Sequence, residues 1–150
     1  FLDVLIDALA EQCSPSAIYV QHRTRGVTPD DRRPAAELRY GKPPAATDLE
    51  IAVDEDGLKL WVDPSAPVSP GLFLDLREGR RHFETLCAGK RVLNLFSFTG
   101  AFSLRAVRAG AASVLNVDAA ARSHARCRQN LAISGLDSEA CETFCGDALK

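Results

Sequence analysis

Apolar positions along this chain change period twice. Leu2, Leu5, Ile6 and Leu9 recur at helical spacing and predict an amphipathic helix over Phe1–Gln12, stopped by Ser14-Pro15. Ala17–Gln21 is a short apolar strand, and His22–Thr47 is an Arg-, Pro- and Gly-rich arm with a possible strand or turn near Leu38–Tyr40. Two alternating runs, Leu49–Val53 and Leu58–Val62, flank Asp56-Gly57, two residues that tolerate positive φ; this predicts a hairpin. A hairpin of that size needs a partner surface to be stable. Pro64, Pro67 and Pro70 make Asp63–Pro70 an extended connector, and Gly71–Ala88 starts as a strand or turn and becomes a helix.

From Lys90 strand and helix alternate. Arg91–Leu95, Ser113–Val117 and Cys141–Cys145 read as strands, with helices over Ala101–Ala109 and Ala119–Ser134, each stopped by a glycine. Arg91–Leu95 is apolar apart from its leading Arg91 and Asn94, the composition of a strand covered on both faces. Strands separated by helices of this length predict parallel βαβ units with right-handed crossovers. The expected fold class is therefore α/β, a Rossmann-like sheet in 71–150, preceded by a small α+β accessory region in 1–63 that includes the hairpin and is a candidate for substrate contact.

Composition narrows the partners. The 150 residues are 46% hydrophobic, enough for one domain-sized core. A net charge of −2 gives no global basic field for nucleic acid. Charge is uneven, however: His22–Lys42 carries five Arg and one Lys against three acids, and Gly71–Arg91 five cations against three acids. The five cysteines are odd in number and include no C-x-x-C pair, so neither a disulfide framework nor a metal site is indicated and a reducing, intracellular setting is the simpler inference. Cys141 and Cys145 would face one side of their strand as small core residues. No signal peptide and no membrane-length apolar run is present. The chain begins at Phe1 and ends directly after a strand, as expected of a segment of a longer enzyme.

Candidate chemistry lies at the carboxyl ends of the three strands, where open parallel sheets bind ligands. Phe96-Ser97-Phe98-Thr99-Gly100 follows the first, Asp118 ends the second and Asp147 follows the third. Gly100 permits close backbone approach, Ser97 and Thr99 offer hydroxyls, and Asp118 lies 18 residues after Gly100, near the roughly 20-residue interval of a ribose-reading acid. Asp147 is placed to accept from an adenine amino group. One glycine in place of G-x-G-x-x-G is poorly suited to a pyrophosphate, so a phosphate-free adenosyl cofactor is favoured over NAD or FAD. Polar residues at strand ends are common to all α/β domains, and a nicotinamide-dependent oxidoreductase stays open at this level.

The sequence LNLFSFTGAFSLRAVRAGAASVLNVDAA, preceded by GLFLDLREGRR, resembles the class I S-adenosylmethionine-dependent methyltransferases that modify 23S (large-subunit) ribosomal RNA, a family with cytosine-C5 and guanine-N7 members. The matching residues are Gly71, Phe73, Leu74, Asp75, Arg77 and Arg80, then Leu93–Gly100 with Phe98 where Tyr is usual. Asp118 and Asn130–Leu136 follow, with Ser134 in place of Asn. The resemblance implies S-adenosylmethionine as cofactor, held by Asn94, Phe96, Ser97, Phe98, Thr99 and Gly100, with Asp118 at the ribose and Asp147 at the adenine. It also implies that Asp75, Arg77 and Arg80 close over the cofactor or contact RNA, although the residues alone favour a helix start with a capping acid and solvated arginines. Ribosomal RNA is the implied partner and the cytoplasm the implied location. The Pro-Pro loop and the cysteine of cytosine-C5 members are absent, so the catalytic residues are unassigned and are expected beyond Lys150. Methylation of a small molecule or protein, and a non-catalytic methyltransferase-like domain, are the alternatives.

Overall fold

The computed structural model describes residues 1–22, 36–42, 50–67 and 69–149. Most of the basic arm between His22 and Thr47 therefore lies outside the described residues. The chain divides into two compact units, one of residues 1–51 with 63–70 and one of 52–62 with 71–150.

In the first unit, α1 (Leu2–Cys13) ends where Ser14 turns left-handed at φ 45° and donates its N–H to Ala10 O, one residue before Pro15. Ile6 alone of its predicted stripe is buried, and Leu5 and Leu9 are exposed. β1 (Ala17–Val20) pairs antiparallel with β2 (Glu37–Gly41), the strand suggested near Leu38–Tyr40. The proline-containing stretch after Val62 is not an extended connector. Asp63 Oδ1 accepts from Ser65 N (2.9 Å) and Oγ (2.6 Å), and Asp63 N donates to Pro70 O (2.7 Å). Ala36 N donates to Ser65 O (2.9 Å), and Gln21 Nε2 to Ala66 O (3.1 Å) and Pro67 O. Proline removes N–H donors but not carbonyls, and the carbonyls of Ser65, Ala66, Pro67 and Pro70 dock the stretch.

The second unit begins with the hairpin β3 (Ile51–Glu55) and β4 (Leu58–Val62), of which residues 52–62 belong to it. Asp56 and Gly57 both take positive φ, 57° and 83°, as a two-residue type I′ turn demands. Strict alternation puts Leu58, Leu60 and Val62 into the core. At about 2 kcal/mol for each buried aliphatic side chain, this face anchors the hairpin here and not in the accessory region where the sequence reading put it. A 3₁₀ turn (Leu74–Leu76) then leads into α2 (Arg77–Glu84).

The sheet that follows is β5 (Arg91–Leu95), β6 (Ser113–Asp118) and β7 (Glu142–Cys145), parallel and in chain order, with α3 (Ala101–Arg108) and α4 (Ala121–Ile133) as crossovers. Val92 pairs with Val114 and Asn94 with Asn116, so these four share a face, and it is the face that α3 and α4 cover. Crossovers of one hand put both helices on the same side. The opposite face carries Leu93 and Phe144, 59% and 58% exposed. The expectation that β5 is covered on both faces thus fails among the described residues, because the covering helices of the first two crossovers share one side. Cys141 is buried as expected, whereas Cys145, at the open carboxyl edge, is exposed.

Candidate cofactor site

The three strand ends predicted to converge do so. Ser97 N donates to Val117 O (3.0 Å), joining the turn after β5 to the end of β6, and Gly146 N donates to Asp118 O (3.1 Å), joining β6 to the turn after β7. The Asp118 carboxylate ties the ends further: Oδ2 accepts from Phe98 N (2.8 Å) and Oδ1 from Ala120 N (2.9 Å). Each carboxylate oxygen can accept twice, so these two bonds leave acceptor capacity for a diol. Asp147 is exposed, and its Oδ1 accepts from Leu149 N (2.9 Å).

The turn itself is strained. Phe96 and Phe98 hold φ of 54° and 47°, and Gly100 78°. Bulky residues in the left-handed region cost of order 1 kcal/mol or more each, and they cluster where a binding loop needs a fixed shape. Gly100 cannot be replaced without collision, because an added Cβ would overlap Cys127 Sγ from α4. Thr99 Oγ1 donates to Gly71 O (2.6 Å), fastening the turn to the segment before α2. Ser97 Oγ is buried and has no partner among the described residues. Such an orphan hydroxyl is expensive unless something else satisfies it. Together with the Asp118 carboxylate and a turn without a phosphate-cradling glycine run, it fits a polar, phosphate-free ligand such as an adenosyl amino acid.

Other expected site residues are placed elsewhere. The Asn94 side chain turns under the sheet: Nδ2 donates to Ser103 Oγ (2.8 Å), which donates in turn to Asn116 Oδ1 (2.5 Å). It belongs to a buried polar spine and not to the strand end, since an amide on the helix-covered face must find partners there. Arg80 is 1% exposed and spends its guanidinium inside the protein, Nε and Nη2 on Glu55 (2.8 and 2.6 Å) and Nη1 on Phe73 O (2.9 Å). It is not available for RNA phosphates. Arg77 is half exposed and pairs with Asp56 (2.8 Å), and Asp75 is exposed in the 3₁₀ turn.

Two residues near the site were not assigned a role from the sequence. Asn130 of α4 is fully buried; its Oδ1 accepts from Trp61 N (2.8 Å) and its Nδ2 donates to Thr99 O (3.0 Å), so one amide joins β4 to the turn. Ser134, one helical turn on, exchanges hydrogen bonds with Lys59 N (2.9 Å) and O (2.8 Å). Polar residues at i and i+4 on a helix otherwise packed by Cys127 and Leu131 were the available signal.

With this geometry in view, comparison with known proteins decides the family. A model of the S-adenosylmethionine-dependent methyltransferases matches residues 3–150. The chain belongs to that family. Its relatives include the ribosomal RNA large subunit methyltransferase I of Shewanella denitrificans, 38% identical over 90% of this chain and 33% of the relative. The enzyme of the same name from Shewanella amazonensis is 34% identical over 91% and 34%. This methyltransferase chain therefore spans about a third of the length of the curated relatives it matches. Among solved structures, a protein described as a methyltransferase and complexed with S-adenosylhomocysteine superposes with a TM-score of 0.81, at 28% identity over 98% of this chain and 36% of that one. The Rossmann-like fold class and the family cofactor, S-adenosylmethionine, agree with the sequence reading. No helix among the described residues is long and apolar enough to cross a membrane.

Proposed function

We propose that the chain is the cofactor-binding part of an enzyme that transfers a methyl group to a base of large-subunit ribosomal RNA. The observation that carries this is the junction of Phe98 N with the Asp118 carboxylate, which puts the strained turn and the acid at one strand-end crevice. The names of the relatives supply the substrate class. In this reading Phe96–Gly100 surround the methionine moiety, Asp118 receives the ribose hydroxyls and Asp147 the adenine amino group. The cofactor supplies a methyl group on a sulfonium. The protein's part is orientation: the fixed turn and a charge-assisted bond from the diol hold the donor, and holding two reactants in line is the main demand of such a displacement. Asp75 and Arg77, on the exposed segment before and at the start of α2, remain proposed contacts to RNA or to the bound cofactor. The work of such an enzyme places it with ribosomes in the cytoplasm.

The test uses the whole protein with radiolabelled S-adenosylmethionine. Label is expected in large-subunit ribosomal RNA; label in protein or a small molecule would replace the RNA reading, and none in any substrate would favour a non-catalytic role. Asp118→Ala should weaken S-adenosylhomocysteine binding by about ten- to a hundredfold, the worth of a hydrogen bond to a charged group. Unchanged affinity would show that the site lies elsewhere. A salt series on RNA binding completes the test, since phosphate contacts make affinity fall as salt rises.

A further inference from the structure

Arg80 and Glu55 form a buried fork that serves a segment neither of them belongs to. Glu55 ends β3, Arg80 lies in α2, and both are almost fully buried. Two guanidinium nitrogens close on the carboxylate, and the third donates to Phe73 O (2.9 Å). Phe73 is half exposed, and its ring lies against that of Phe98 in the strained turn, centroids 5.7 Å apart and tilted by 49°. Two residues earlier, Gly71 O accepts from Thr99 Oγ1 (2.6 Å). The segment from Gly71 to Phe73 is thus fastened twice, once to the turn directly and once through Arg80.

A buried ion pair is a poor source of net stability, because desolvation cancels most of the attraction and an apolar pair of equal volume serves as well. What apolar side chains cannot do is direct a third donor, at a fixed angle, onto one carbonyl; the planar guanidinium can. We infer that Arg80, oriented by Glu55, is a positioning residue for cofactor binding: it fixes the Phe73 carbonyl and so holds the Phe73 ring against Phe98 at the edge of the cofactor turn. This rests on the reading that Phe96–Gly100 hold the cofactor.

The experiment is a double-mutant cycle on S-adenosylhomocysteine affinity, by calorimetry on the whole protein, with Arg80→Met, Phe73→Ala and both together. If Arg80 acts through Phe73, each single change weakens binding about tenfold and the double is no worse than the poorer single, the non-additivity of residues in one chain of contacts. Losses that multiply to about a hundredfold, or Arg80→Met that lowers the melting temperature with affinity intact, would overturn the inference and leave a purely structural pair. Because Arg80→Met leaves Glu55 with less compensation, the cycle is repeated on Glu55→Gln, where the removed charges balance. Wild-type protein that binds S-adenosylhomocysteine with an indifferent Arg80→Met sinks this inference alone; wild-type protein that fails to bind it sinks the reading of the turn and this inference together.

Discussion

Two polar clusters hold the second unit together, and they solve opposite problems. The corner where the hairpin turn meets α2 and α3 is built from full charges. Glu55, Asp56 and Glu84 face Arg77, Arg80, Arg81, Arg105 and Arg108, with Arg105 alone reaching all three acids at 2.7–2.9 Å. The spine under the sheet, Asn94, Ser103 and Asn116 running on to Cys127, has no formal charge. The corner shades from the buried Glu55 to the solvent-facing Arg81, so water helps to solvate its outer charges. At Ser103 and Asn116 exposure is nil, and short amides and hydroxyls satisfy one another without the desolvation penalty of an ion. The lesson is that charge is used where a shell of partners can surround it and neutral dipoles where only one or two fit.

The largest effect is expected at the corner. Arg105→Met strips a partner from three carboxylates at once and should cost about 4 kcal/mol in denaturant unfolding, as when one member of a buried pair is removed. A loss below 1 kcal/mol would mean that the remaining arginines re-form the network. On the other side, Gly100→Ala drives a methyl group into Cys127 Sγ, next to the spine, at a left-handed φ. Overpacking together with the backbone penalty predicts a loss of about 3 kcal/mol by the same measurement. Asn116→Ala leaves Ser103 without its acceptor and should cost about 2 kcal/mol.

Acid is expected to separate the two clusters most sharply, at smaller amplitude. Hydrogen bonds from Arg80 hold the Glu55 carboxyl below its ordinary value, and those from Arg108 do the same for Glu84. Groups whose pKa is depressed by folding contribute stability that is complete above the ordinary carboxylate pKa, 4.5 for Glu, and is lost as pH falls below it through the folded value. Chemical unfolding followed downward from pH 6 should therefore show stability level to about pH 5 and then falling. Asn116→Ala should keep that slope and Arg105→Met should flatten it. Equal slopes in the two variants would remove the distinction between the clusters.

Much of this was legible along the chain. Asp56-Gly57 between alternating runs announced its turn, because few sequences accept two consecutive left-handed residues. The strands at Arg91–Leu95 and Ser113–Val117 and their crossover helices followed from period and glycine stops, and the strand-end rule brought Ser97 and Asp118 together. That Arg80 is buried was not legible, because an arginine on an amphipathic helix looks solvated until its partner is known, and Glu55 lies 25 residues away in sequence. Where the Asn94 side chain goes was hidden for a related reason: an amide in an apolar strand can serve a ligand or another amide, and period alone does not say which face it takes or what waits there.

What the sequence by itself determined is local: turn chemistry, periodicity, and the order of polar residues at strand ends. These follow from backbone sterics and from burying one face at a time. Tertiary structure alone decided which charges are spent inside the protein, that the hairpin joins the second unit, and that Phe96 and Phe98 are held left-handed at the proposed cofactor turn. Those outcomes depend on partners brought together only by folding, and a contact between distant residues leaves no periodic trace in the chain.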